Sequence, residues 1–82
     1  MPRVIIADDV RLPAAALFGT RLKRLRRERG LTQAQLAELT GSTAPYVSQV
    51  ERGYANPTLD VMAKLAEAVG AKVWDLLKPD DD

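Results

Sequence analysis

Apolar residues recur along this chain at helical spacing in four successive runs, and a glycine follows each run. Phe18, Leu22 and Leu25, spaced by four and three, make one stripe of a first helix that Pro13 suits at its start and Gly30 closes. Gly19 lowers helix propensity in its middle by roughly 1 kcal/mol, which shifts the expected start toward Thr20. Thr32 with Gln35 three residues on forms a capping box for a second helix, and Leu31 and Leu36 flank it as a hydrophobic staple. Leu36, Ala37 and Leu39 supply its inward face, and Gly41 stops it where a left-handed backbone suits glycine.

Two residues later Thr43 caps a third helix, with Pro45 in the first turn, where its missing N–H has no intrahelical partner to lose. At about 100° per residue, Val47 and Val50 point one way with Glu51 beside them, while Ala44, Pro45, Ser48, Gln49 and Arg52 point the other. The segment 53–57 reads as a loop, and Thr58 caps a fourth helix that ends at Gly70. There Leu59, Met62, Leu65, Ala66 and Val69 face a core, Met62 as filler, and Asp60, Lys64 and Glu67 face water. Ala71 to Leu77 packs Val73, Trp74, Leu76 and Leu77 into five positions, more apolar surface than one short helix buries in so small a domain. Lys78-Pro79 ends that element, and Asp80-Asp81-Asp82 reads as a solvated tail rather than a metal site.

The pattern predicts an all-α domain over residues 13–77, an N-terminal arm over 1–12 and an acidic tail over 78–82. The arm contains Val4-Ile5-Ile6, which suits a frayed terminus, a strand pairing with its copy in a dimer, or a helical lead-in; the apolar run favours order. Eighty-two residues, 46% of them apolar, allow one core.

The set Gln33, Leu36-Ala37, Gly41, Ser48 and Glu51-Arg52-Gly53 resembles the helix-turn-helix of the phage repressor and Cro family, also called the Xre family, and the resemblance runs from about Phe18 to Leu77. It implies a five-helix, lambda-repressor-like DNA-binding domain, with helices two and three as the helix-turn-helix and Ala71–Leu77 as the short fifth helix. It also implies that Arg26 pairs with Glu51 and that Gln33 holds a DNA phosphate at the start of helix two. Physically, Arg26 flanks the apolar stripe, and an Arg and a Glu beside a core each need a partner; a phosphate is the other partner open to Arg26. Lys23, Arg24 and Arg27 lie opposite the stripe on a solvated face, from which phosphates are within reach.

Composition narrows the chemistry. The chain has no Cys and no His, so it lacks a disulfide framework, a thiolate site and the commonest general base, and its carboxylate clusters sit on the termini; an enzyme, a metal or a cofactor is not expected. Apolar runs fall short of the ~20 residues that cross a bilayer, which points to the cytoplasm. Net charge is +1, yet residues 20–52 hold seven Lys or Arg against three Glu, whereas residues 53–82 hold three against six acidic groups. That asymmetry fits a polyanion on one side, or a plain solvated face.

Duplex DNA fits the pattern as partner. The outward face of the third helix is small and polar enough for the major groove, where Gln49 can bond an adenine edge, and Thr43, Ser48, Ala44 and Pro45 complete the reading face, the last two through apolar contacts only. Besides Gln33, the residues Arg52, Tyr54 and Asn56 are candidates for phosphates, and Tyr46 suits either a sugar-phosphate contact or partial burial. A single recognition helix covers few base pairs, so a homodimer reading a palindromic operator is expected, joined through Trp74, Leu76 and Leu77; core cover is the alternative for Trp74. A repressor, a restriction-modification controller and an antitoxin that binds a toxin and represses its own operon all fit. A protein-interaction module without specific DNA binding is the competing class, favoured by Ala44 and Pro45 on the reading face.

Overall fold

The computed structural model describes residues 13–78, and these fold as four α-helices and one 3-10 turn around a single apolar core. The helices are α1 (Pro13–Glu28), α2 (Gln33–Thr40), α3 (Ala44–Glu51) and α4 (Leu59–Ala68), followed by the 3-10 turn Val73–Leu76. Among the described residues no helix is long and apolar enough to cross a membrane. The arm (1–12) and Asp80-Asp81-Asp82 lie outside the described residues.

Threonines set three of the helix starts. Thr32, Thr43 and Thr58 each have an extended backbone and accept a hydrogen bond from the N–H three residues on, at 3.0, 3.2 and 3.2 Å, which satisfies a donor that the helix itself cannot. At Thr32 the Gln35 side chain returns the bond at 2.9 Å, closing the capping box. Each such cap stabilises its helix by about 1 kcal/mol, which matters most for α2 and α3, at eight residues too short to be stable alone. Gly41 ends α2 at φ +71°, and the Ser42 N–H reaches back to the Ala37 carbonyl at 2.9 Å. The two helices are thus joined by a turn whose own bonds fix the angle between them.

Phe18 and Leu22 of α1, Leu36 and Ala37 of α2, Val47 and Val50 of α3, Leu65, Ala66 and Val69 of the α4 region, and Leu76 form the core. Burying a Leu, Val or Phe side chain in it contributes roughly 1.5–3 kcal/mol.

The structure corrects several sequence expectations. Helix α1 runs unbroken from Pro13 through Gly19, which is buried, so its start is not delayed to Thr20. Leu39 is 63% exposed: the inward arc of α2 is Leu36, Ala37 and Thr40 with Gln33 a turn before, and Leu39 lies to one side of that arc. Leu59, the first residue of α4, stands at the end of its stripe and is 65% exposed. The fifth element is a four-residue 3-10 turn, not an α-helix. The Ala71 N–H is taken by the Ala66 carbonyl as α4 closes, and Pro79 disfavours helical backbone at Lys78, leaving no length for an α-turn.

Candidate nucleic-acid interface

Helix α3 stands on α1 and α2 with Val47, Val50 and Glu51 buried. Pro45, Gln49 and Arg52 are exposed, while Ser48 and Ala44 are half-buried at the flank of the same surface. Thr43, exposed, keeps its oxygen on the Tyr46 N–H, so its hydroxyl proton remains available for an acceptor. Among the described residues the outer face is therefore unobstructed, and Tyr46 packs half-buried against the core at its edge.

A polar network locks the helix from behind. Arg26 Nε donates to Glu51 Oε2 at 2.6 Å and Arg26 Nη2 to Glu51 Oε1 at 3.1 Å, a bidentate pair with side-chain exposures of 9% and 1%. Arg26 Nη1 continues to the Leu31 carbonyl at 2.7 Å, so one guanidinium ties α3 to the α1–α2 connection. Gln33 Nε2 also donates to Glu51 Oε1, at 3.0 Å. Gln33 is thus half-buried and anchored at the first turn of α2, with its second amide N–H and its carbonyl oxygen left over for an external group.

At the far end of α3, the Gly53 and Tyr54 N–H groups bond the carbonyls of Val50 and Gln49, turning the chain away. The Arg52 guanidinium carbon sits 5.0 Å from the centre of the Tyr54 ring, a cation–π stack that holds the charge at the C-terminal corner of the outer face of α3. Asn56 is exposed in the following loop.

Trp74 is 61% exposed, and Leu77 is half-buried beside a cleft it shares with Asn56 and Pro57 of the loop after α3. Leu76 is withdrawn from the candidate subunit contact: at 1% exposure it belongs to the core of its own domain, because residue 76 is the inward position of the 3-10 turn. One buried cation was not anticipated. Arg21 is 7% exposed and donates from Nη1 to the Asp75 carbonyl at 3.3 Å, joining α1 to the turn; its place four residues before Leu25 was the available signal.

Comparison with known proteins agrees with this geometry. A helix-turn-helix family model matches residues 22–73. An uncharacterised helix-turn-helix transcriptional regulator of Sinorhizobium fredii, y4dJ, is 41% identical over 66 residues, covering 80% of this chain and 86% of that protein. Two other curated relatives are longer, and the matched region spans 45% and 38% of them. Among solved structures, the restriction-modification controller protein C.AhdI of Aeromonas hydrophila superimposes with a TM-score of 0.73 at 40% identity, over 79% of this chain and 98% of that one. The biofilm master regulator SinR, solved in complex with DNA, gives 0.69 at 32% identity over 74% and 98%. With the capped helix pair, the tight glycine turn and the buried Arg26–Glu51 lock in place, the chain belongs to the helix-turn-helix family of Xre and phage-repressor type.

Proposed function

We propose that this protein is a sequence-specific duplex-DNA-binding transcriptional regulator that works as a homodimer, with α3 in the major groove. The observation that carries the reading is the division of α3: Val47, Val50 and Glu51 are fixed inward while Gln49, Pro45 and Arg52 face outward on one short, exposed helix. The likeness to SinR, whose structure was solved with DNA, supports it.

Gln49 reads a base edge, and Ser48 and Thr43 offer hydroxyls beside it; Ala44 and Pro45 contribute apolar contacts to thymine methyls. Few donors face the bases, so much of the sequence preference comes from duplex shape. Gln33, Arg52, Tyr54, Asn56 and Tyr46 hold the sugar-phosphate backbone and set the position of α3 without reading sequence.

Selection of bound duplexes from a random pool tests the reading directly. Gln49→Ala is expected to flatten the preference at one position, a loss of about 1–3 kcal/mol of discrimination, whereas Arg52→Ala weakens binding to all duplexes alike and lowers the salt slope by about one. Equal effects of both substitutions would contradict the assigned roles.

Two copies reading half-sites about 34 Å apart extend the recognised sequence, and the exposed Trp74 with Leu77 supplies an apolar contact for the pair. In sedimentation equilibrium the protein is expected to be dimeric at tens of micromolar and Trp74→Ala to shift it toward monomer; a wild-type monomer at high micromolar concentration refutes the dimer.

A second reading, a protein-interaction module on the same scaffold, draws on Pro45 and Ala44, which offer no hydrogen bond to a base, and on the exposed Leu39, Leu59 and Trp74. It predicts shallow salt dependence and no preferred duplex.

A further inference from the structure

Thr20, Lys23, Arg24 and Arg27 follow one another along α1 at offsets of three, four and seven, which places them on one face, and all four are exposed. Two surface clefts share Thr20 and Lys23. One runs along α1 past Arg24, Arg27 and Glu28; the other, of about 360 Å³, crosses to α3 and is walled by Glu51, Arg52 and Tyr54. The basic ridge of α1 is therefore continuous with the C-terminal corner of the reading helix.

We propose that Lys23 and Arg52, from opposite walls of the second cleft, hold neighbouring backbone phosphates of duplex DNA, one each, so that α1 adds a contact outside the helix-turn-helix proper. This rests on the DNA-binding reading above and extends it to a residue outside the helix pair. Lys23 and Arg52 have no ion-pair partner among the described residues. Glu51, the one acidic group in the wall, does not oppose an anion there, because its carboxylate is already matched by Arg26 and hydrogen-bonded by Gln33. Arg52 is held in place by its stack on Tyr54, whose hydroxyl, like that of Thr20, is a donor suited to a phosphate oxygen. Interaction with the helix dipole explains basic residues in the last turn of α1, Arg26 and Arg27, but Lys23 stands more than a turn from that end. Its like-charged neighbour four residues on, Arg27, disfavours the free protein, and an external anion relieves that repulsion.

The test compares wild type, Lys23→Gln and Lys64→Gln as full chains, measuring affinity for the selected duplex and for an unrelated duplex between about 50 and 200 mM salt. Lys64, exposed on α4 against the C-terminal end of α2, controls for a general loss of charge. Lys23→Gln is expected to lower the slope of log affinity against log salt by about 0.9 and to weaken both duplexes by the same factor, with Lys64→Gln retaining the wild-type slope. Unchanged slope in Lys23→Gln beside a steep wild-type slope overturns this inference alone, as does an equal fall in Lys64→Gln. A wild type without salt-dependent duplex binding overturns the DNA-binding reading and this inference with it.

Discussion

Arg26→Met, with Glu51 left in place, is expected to lower the unfolding free energy by about 3–5 kcal/mol, and Arg26→Met with Glu51→Leu to recover most of that loss. The Glu51 side chain is 1% exposed, and of the three hydrogen bonds that satisfy its oxygens two come from Arg26. Removing the guanidinium leaves a carboxylate in the core with Gln33 alone, and leaves the Leu31 carbonyl without its donor. Replacing both ends removes the charges together with their desolvation cost, so the double variant regains a foldable core. A small domain has a total stability of only about 5–15 kcal/mol, so a loss of this size removes a large share of it. Urea titration followed by far-ultraviolet circular dichroism measures both; a loss below about 1 kcal/mol in the single variant would show the pair to be solvated rather than buried. The double variant leaves the outward side chains of α3 in place while freeing Gln33 from its anchor, so a fall in its duplex affinity reports the loss of that anchor.

That pair spans twenty-five residues of sequence; the family resemblance named the two partners, and the need of an Arg and a Glu beside a core to be paired favoured it over a phosphate at Arg26. Local features were legible because their physics is local. A threonine hydroxyl caps the N–H three residues on, and a glycine after an apolar run takes the left-handed backbone, so Thr32, Thr43, Thr58 and Gly41 could be read directly. The division of α3 was legible for the same reason: an eight-residue helix with two valines three apart has one way to bury both. The inferences that failed each depended on a neighbouring element. Leu39 and Leu59 are apolar and well spaced but stay mostly uncovered by the described residues, and Leu76 is covered by its own core. Arg21, read by charge, is buried through its bond to the Asp75 carbonyl, contributed from fifty-four residues away. The proposed phosphate contacts are hardest to read, since their partner is not in the chain.

Gly19 is the clearest case of tertiary structure overriding propensity, and Gly19→Ala is expected to destabilise the protein although alanine is the better helix former by about 1 kcal/mol. A Cβ built there falls 2.2 Å from the Val50 carbonyl oxygen and 2.7 Å from that of Glu51. Both are backbone atoms at the end of α3, and the Val50 carbonyl already accepts the Gly53 N–H, so no side-chain rotation relieves the clash. Helix α3 must move off α1, carrying Gln49 and Arg52 with it and stretching the Arg26–Glu51 bonds. Overpacking of this kind costs about 1–3 kcal/mol, occasionally more, which outweighs the gain in propensity. Gly30→Ala is the matched control: its φ of +71° makes alanine strained by about 1–2 kcal/mol, but a Cβ there meets nothing within 4 Å, so α3 stays in place. The two variants should therefore lose comparable stability, while only Gly19→Ala loses affinity for the selected duplex when measured at a temperature where both are folded. A Gly19→Ala protein as stable as wild type, or one that binds the duplex as well as Gly30→Ala does, would show that the seat of α3 on α1 is looser than the close approach of Gly19 to the Val50 carbonyl requires.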